Sequence, residues 1–165
     1  MSAKVEIQYA SSDDEVPPPS QFQCWVEAAL LTENKDAEVC IRVVGTDESQ
    51  QLNQTYRQKS YPTNVLSFPS DLPCDIDLPL LGDLAICAPV VRKEATVQKK
   101  SLEAHWAHMV VHGTLHLQGF DHMDDGDADI MEAMETKILT ALNYPPPYEF
   151  DVTVDCEINE GDRQN

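Results

Sequence analysis

The run HGTLHLQGFDH, residues 112–122, constrains this chain more than any other stretch. His112 and His116 are four residues apart, so a helix sets both imidazoles on one face, one turn apart. Gly119 then ends or bends that helix, because glycine takes the left-handed conformation at little cost. A chain that turns back there brings His122 toward the other two histidines. Three neutral imidazoles converging on one zinc ion leave its fourth position open, which suits a catalytic rather than a structural site.

His105, His108, His112 and His116 all fall in the same helical stretch. The last three share a four-residue period, yet they cannot ligate one ion together. A rise of about 1.5 Å per residue puts His108 and His116 roughly 12 Å apart along the axis. Ligands held at about 2.0–2.1 Å from one zinc need to lie far closer. The ligand set therefore requires the turn and reads as His112, His116 and His122, with His105 and His108 as core residues or as donors behind the ligands. The spacing matches the long zinc motif of metzincin proteases with one departure. Where those enzymes place a glutamate as general base, this chain has Gly113. Protease chemistry is disfavoured; the metal site is not.

The same run resembles the signature of the YbeY family, bacterial metal-dependent endoribonucleases that act in ribosomal RNA maturation. LNQTYRQKSYPTNVLSFP (Leu52–Pro69), LLGDLAIC (Leu80–Cys87) and HWAHMVVHG (His105–Gly113) add to the resemblance and follow the family's order. It implies an enzyme, a single-strand-specific endoribonuclease of 16S rRNA 3′-end maturation and ribosome quality control. It also implies His112, His116 and His122 as ligands of one metal ion, Zn2+ or another transition metal, with Arg57 and His116 catalytic. Implied partners are single-stranded ribosomal RNA, the small ribosomal subunit and basic ribosomal proteins. Taken alone, Arg57 reads equally well as an ion-pair residue or as a planar phosphate clamp. Asp121 reads as a loop or capping residue, or as a support for His122. Asp83 either faces the site or marks a strand edge. Tyr61 or Phe68 can stack a base, although either is more often core. The competing reading is a non-catalytic ribosome-assembly factor whose metal only ties a turn to a helix.

Charge bears on that choice. The 165-residue chain carries 29 acidic and 11 basic residues, a net charge of −18. Such a field repels nucleic acid at long range and favours solubility or basic protein partners. RNA has to be met locally, by Arg57 and Lys59 or by the Arg92, Lys93, Lys99 and Lys100 cluster, which otherwise reads as a solvated helix face. Five scattered cysteines without a C-x-x-C pair point to free thiols in a reducing cytoplasm. No secretory signal and no run of about 20 apolar residues is present, so a membrane partner is not expected.

The pattern of the chain predicts an α+β fold: a small mixed four-stranded sheet packed with about five helices, zincin-like, spanning residues 1–148. An acidic, disordered tail follows at 149–165. Strands are expected at Val5–Tyr9, Val39–Val43, Val65–Phe68 and Leu80–Cys87. Helices are expected to start at a Ser20 cap, at a Thr46 or Asp47 cap, near Pro89, at Ser101 and at Asp124 or Asp125. The last should turn Ile130, Met134, Ile138 and Leu139 inward. Strands joined through helices should run parallel, and the third and fourth strands antiparallel.

Overall fold

The computed structural model describes residues 3–11, 15–31, 35–69, 80–120 and 125–147. In chain order these form β1 (Lys4–Tyr9), α1 (Pro19–Ala29), β2 (Glu38–Val44), α2 (Thr46–Arg57), β3 (Val65–Pro69) and β4 (Leu80–Cys87). Then follow α3 (Ala88–Gln98), α4 (Leu102–Leu117) and α5 (Asp125–Ala141). The strands make one mixed sheet in the order β1-β2-β4-β3. β1, β2 and β4 run parallel, and β3 lies antiparallel to β4 at the edge. The expected α+β class and strand directions are therefore observed.

Period-two alternation sorts the sheet's faces. Val39, Ile41 and Val43 of β2 and Leu84 and Ile86 of β4 are buried on the face that α4 covers. Cys40 and Arg42, paired in register with Asp83 and Ala85, lie on the other face. Phe22 and Trp25 of α1 pack edge-to-face with each other, and Phe22 does the same with Trp106 of α4, at centroid distances of 5.8 and 5.7 Å. That geometry suits the aromatic quadrupole and fills the space between α1 and α4.

α4 is the central helix. Only Leu102 and Glu103 at its start and His112 and His116 near its end escape full burial. A helix covered nearly all round is held by packing rather than by amphipathicity. Its start matches expectation: the Ser101 hydroxyl accepts the Ala104 N–H at 3.1 Å, satisfying an orphan donor of the first turn.

Three sequence expectations need correction. α1 begins at Pro19 after Pro18 rather than at a Ser20 cap, because proline is preorganised for the first helical position. α2 is preceded by Gly45. Thr46 and Asp47 lie inside its first turn, where Asp47 and Glu48 meet the positive helix end. In α5 one member of the expected inward stripe departs: Ile130 is 56% exposed, whereas Leu139 is buried and Met134 and Ile138 pack against the core, with Met131 and Glu135 buried beside them. The cause is Glu135, which the site draws inward.

Candidate active site

α4 ends as Gly119 dictates. Gly119 has φ +100°, its N–H donates to the His116 carbonyl, and the Phe120 N–H reaches back to the Leu115 carbonyl. This paired closure satisfies the last carbonyls of a helix and needs a left-handed residue at the turn. It also sets the Phe120 carbonyl 2.9 Å from His116 Nδ1. A carbonyl only accepts, so Nδ1 carries the proton and the Nε2 of a neutral ring bears a lone pair. Gln118 braces the turn against the end of α1, donating to the Ala29 carbonyl and accepting from the Leu31 N–H, both at 2.8 Å.

His112 is fixed in the same sense by a different partner. Its Nδ1 lies 2.5 Å from Oε2 of Glu135, and the other oxygen, Oε1, is 3.1 Å from His108 Nε2. Burial alone would raise the Glu135 carboxyl. The hydrogen bonds from His108 and His112 outweigh it and hold the group well below the usual carboxylate range. Glu135 is thus an anion, and the His112 ring donates to it through Nδ1.

The two Nε2 atoms then face each other, 3.1 Å apart. With both rings neutral and protonated on Nδ1, two lone pairs meet there, an arrangement that a shared cation, a metal ion or a proton, relieves. Two nitrogens on one tetrahedral zinc, each at about 2.0–2.1 Å, would be separated by roughly 3.3 Å. The residues present fit a metal. His108, His112 and Glu135 also offer donor atoms within 4.8 Å of one another.

His112 and His116 open into a groove of about 660 Å³ that also takes in Arg57, Lys59, Tyr61, Asn64 and Ser67. No acidic residue is among its described lining residues, a marked departure for a chain of net charge −18. Arg57 closes α2 and donates from Nη2 to the Ser67 carbonyl at 3.1 Å, placing its cation at the negative end of the helix. The wall between α2 and β3 is tied down by two buried polar side chains of α2. The Ser49 hydroxyl donates to the Thr63 carbonyl at 2.9 Å, and the Asn53 amide donates to the Tyr61 carbonyl at 2.7 Å. Asn64 is held in turn by Glu94, whose carboxylate also binds His105 Nε2 at 2.8 Å.

Of the residues singled out in the sequence, Arg57, His112 and His116 come together here. His122 and Asp121 lie outside the described residues. Asp83 faces the opposite side of the sheet, beside Cys40 and Arg42, and Phe68 lies there against Tyr56 at 5.1 Å. His105 and His108 are buried donors to carboxylates. Gly113 has a packing reason: a Cβ built there would come 2.7 Å from Leu84 Cδ2. The position that carries a general base in metzincins is here the contact between helix and sheet. The sequence reading missed Glu135 and Glu94. The clue to Glu135 was its four-residue spacing from Met131 on one side and Leu139 on the other.

The profile of the family described as Endoribonuclease YbeY matches residues 6–143. The chain belongs to the YbeY family. The YbeY match runs from β1 to just past α5, so it includes Arg57, both groove histidines and Glu135. The solution structure of TM1509 from Thermotoga maritima is similar at 27% identity, covering 81% of this chain and 86% of that one, with a TM-score of 0.57. As a YbeY protein the chain is an endoribonuclease of ribosomal RNA maturation. Among the described residues no helix is long and apolar enough to cross a membrane.

Proposed function

We propose that this endoribonuclease is metal-dependent and single-strand-specific. It would trim the 3′ end of 16S rRNA and serve in ribosome quality control in the cytoplasm, in contact with the small subunit and its basic proteins. His112, His116 and His122 would hold one ion, zinc by preference, and Arg57 and His116 would carry the chemistry. The observation that carries this reading is the facing Nε2 pair at 3.1 Å inside a groove that Arg57 and Lys59 also line. The third ligand rests on the Gly119 turn, which ends α4 three residues before His122. A divalent ion held there supplies an acidified water and positive charge against phosphoryl oxygens.

The chain's own residues do the rest. Arg57 keeps its planar fork at the groove wall, suited to bidentate contact with a phosphate. Lys59 adds local charge where the overall field opposes RNA. Tyr61, 53% exposed on the same wall, offers a ring face for an unpaired base, which a duplex would not present. β3 is the sheet edge nearest the histidines, so an extended strand can lie along it.

The test is metal analysis with end-group mapping of RNA fragments. Wild type is expected to cut internally, and His116→Ala and Arg57→Ala to lose cleavage with the far-UV spectrum preserved. Unchanged cleavage in both variants would defeat the proposal. Loss of cleavage with full rescue of ribosome assembly by folded, metal-free protein would favour a non-catalytic assembly role.

A further inference from the structure

We infer that Glu135 is the positioning residue of the metal centre: clamped by His108, its buried carboxylate fixes the His112 ring so that Nε2 points at His116. This rests on the metal reading above and adds to it a residue on another helix. Glu135 is 0% exposed and reaches α4 from α5. Its oxygens divide their work, Oε2 on His112 and Oε1 on His108. His108 is braced from behind, with Nδ1 3.4 Å from the Lys100 ammonium. An ordered line therefore runs Lys100, His108, Glu135, His112, His116 and the Phe120 carbonyl. Every link but the Nε2 pair joins a donor to an acceptor. The one mismatched link is where a cation belongs.

The arrangement explains why α4 carries a four-residue series of histidines when one ion cannot use all of them. His112 and His116 face the groove. His108, one turn earlier, holds the carboxylate that orients His112. Without an anion at Nδ1, the neutral ring can move its proton to Nε2, and a nitrogen that carries a proton cannot bind a metal.

Glu135→Gln tests this with little change of volume. Zn2+ affinity would be measured on the full chain by competition with a chromophoric chelator, and the His112 tautomer by 15N-edited NMR of metal-free protein. The variant is expected to bind Zn2+ about 10- to 100-fold more weakly. Its His112 ring is expected to shift from the Nδ1–H form toward Nε2–H, a change that a purely structural role would not produce. His116→Ala run in parallel separates this inference from the metal reading. If His116→Ala loses the metal while Glu135→Gln keeps both affinity and tautomer, the inference is overturned and the metal reading stands. If His116→Ala binds as wild type while Glu135→Gln loses Zn2+ altogether, Glu135 is a ligand and not a positioning residue, which overturns it too. Should Glu135→Gln fail to fold, the wild-type spectrum decides: a His112 ring protonated at Nε2 in the metal-free protein overturns the inference.

Discussion

The two pairs of histidines on α4 share a helix and a residue type but not an environment. His105 and His108 are 1% and 6% exposed, and each gives Nε2 to a carboxylate from a neighbouring helix, Glu94 of α3 or Glu135 of α5. His112 and His116 spend Nδ1 inward, on Glu135 and the Phe120 carbonyl, and turn Nε2 to the groove. The first pair knits three helices together. The second is held open by that knitting. Ligand character here depends on which ring nitrogen is committed to the interior, and the helical period alone cannot reveal that.

The sharpest way to break the contrast is Glu135→Ala, the one change that reaches both pairs. It strips His108 and His112 of their acceptor and leaves a hole in the core. A loss of about 3–5 kcal/mol is expected, the scale for removing one partner of a buried charged network. Chemical denaturation measures it, and a cost under about 1 kcal/mol would mean the carboxylate does not hold the two helices together.

Gly113→Ala comes next. Its new methyl would press on Leu84, which is 1% exposed and has little room to yield. Overpacking of this kind costs about 1–3 kcal/mol. Gly113→Glu, which restores the protease residue, should prevent α4 from docking rather than create a peptidase; peptide cleavage by a folded variant would refute this.

Ser101→Ala separates the pairs. Loss of the cap should cost about 1 kcal/mol and loosen the first turn of α4, which carries His105 but stops short of His108. The end of the helix is held independently by Gly119 and Gln118. Zn2+ affinity should therefore stay within twofold of wild type. A tenfold drop would show that the two ends of α4 act as one unit.

These differences mark what the sequence can reveal. Strand directions, the Ser101 cap and the Gly119 turn were legible because each rests on local chemistry with one strong solution. The cluster of Arg57, His112 and His116 was legible by resemblance, and the fold places the three around one groove. Glu135 was not legible. A stripe drawn through the apolar residues of α5 takes Ile130 inward, and a glutamate in the core goes against hydrophobicity until its two histidine partners are known. The absence of acid among the described lining residues of the groove was equally hidden, since net charge averages over a surface that the fold then sorts.

The smallest expected effect concerns pH, and it falls on the inner pair. Burial acts to raise the Glu94 carboxyl, but hydrogen bonds from His105 and Asn64 outweigh it and hold it below its ordinary value. The unfolded chain then takes up the proton first, near the usual pH of about 4.3. Stability from this group is complete above that pH and is lost as pH falls through the lower folded value. His108 adds an earlier loss of the same sign. Burial depresses its pKa despite Glu135, so the unfolded state gains a proton from about pH 6.5 downward. Thermal unfolding followed from pH 7 to pH 3 should therefore fall in two stages; Glu94→Gln should shrink the lower one, to which Glu135 also contributes, and leave the upper one unchanged. If Glu94→Gln instead erased the stage near neutrality, the two inner histidines would be coupled through α3, and the assignment of Glu94 to His105 and Glu135 to His108 as separate clamps would have to be given up.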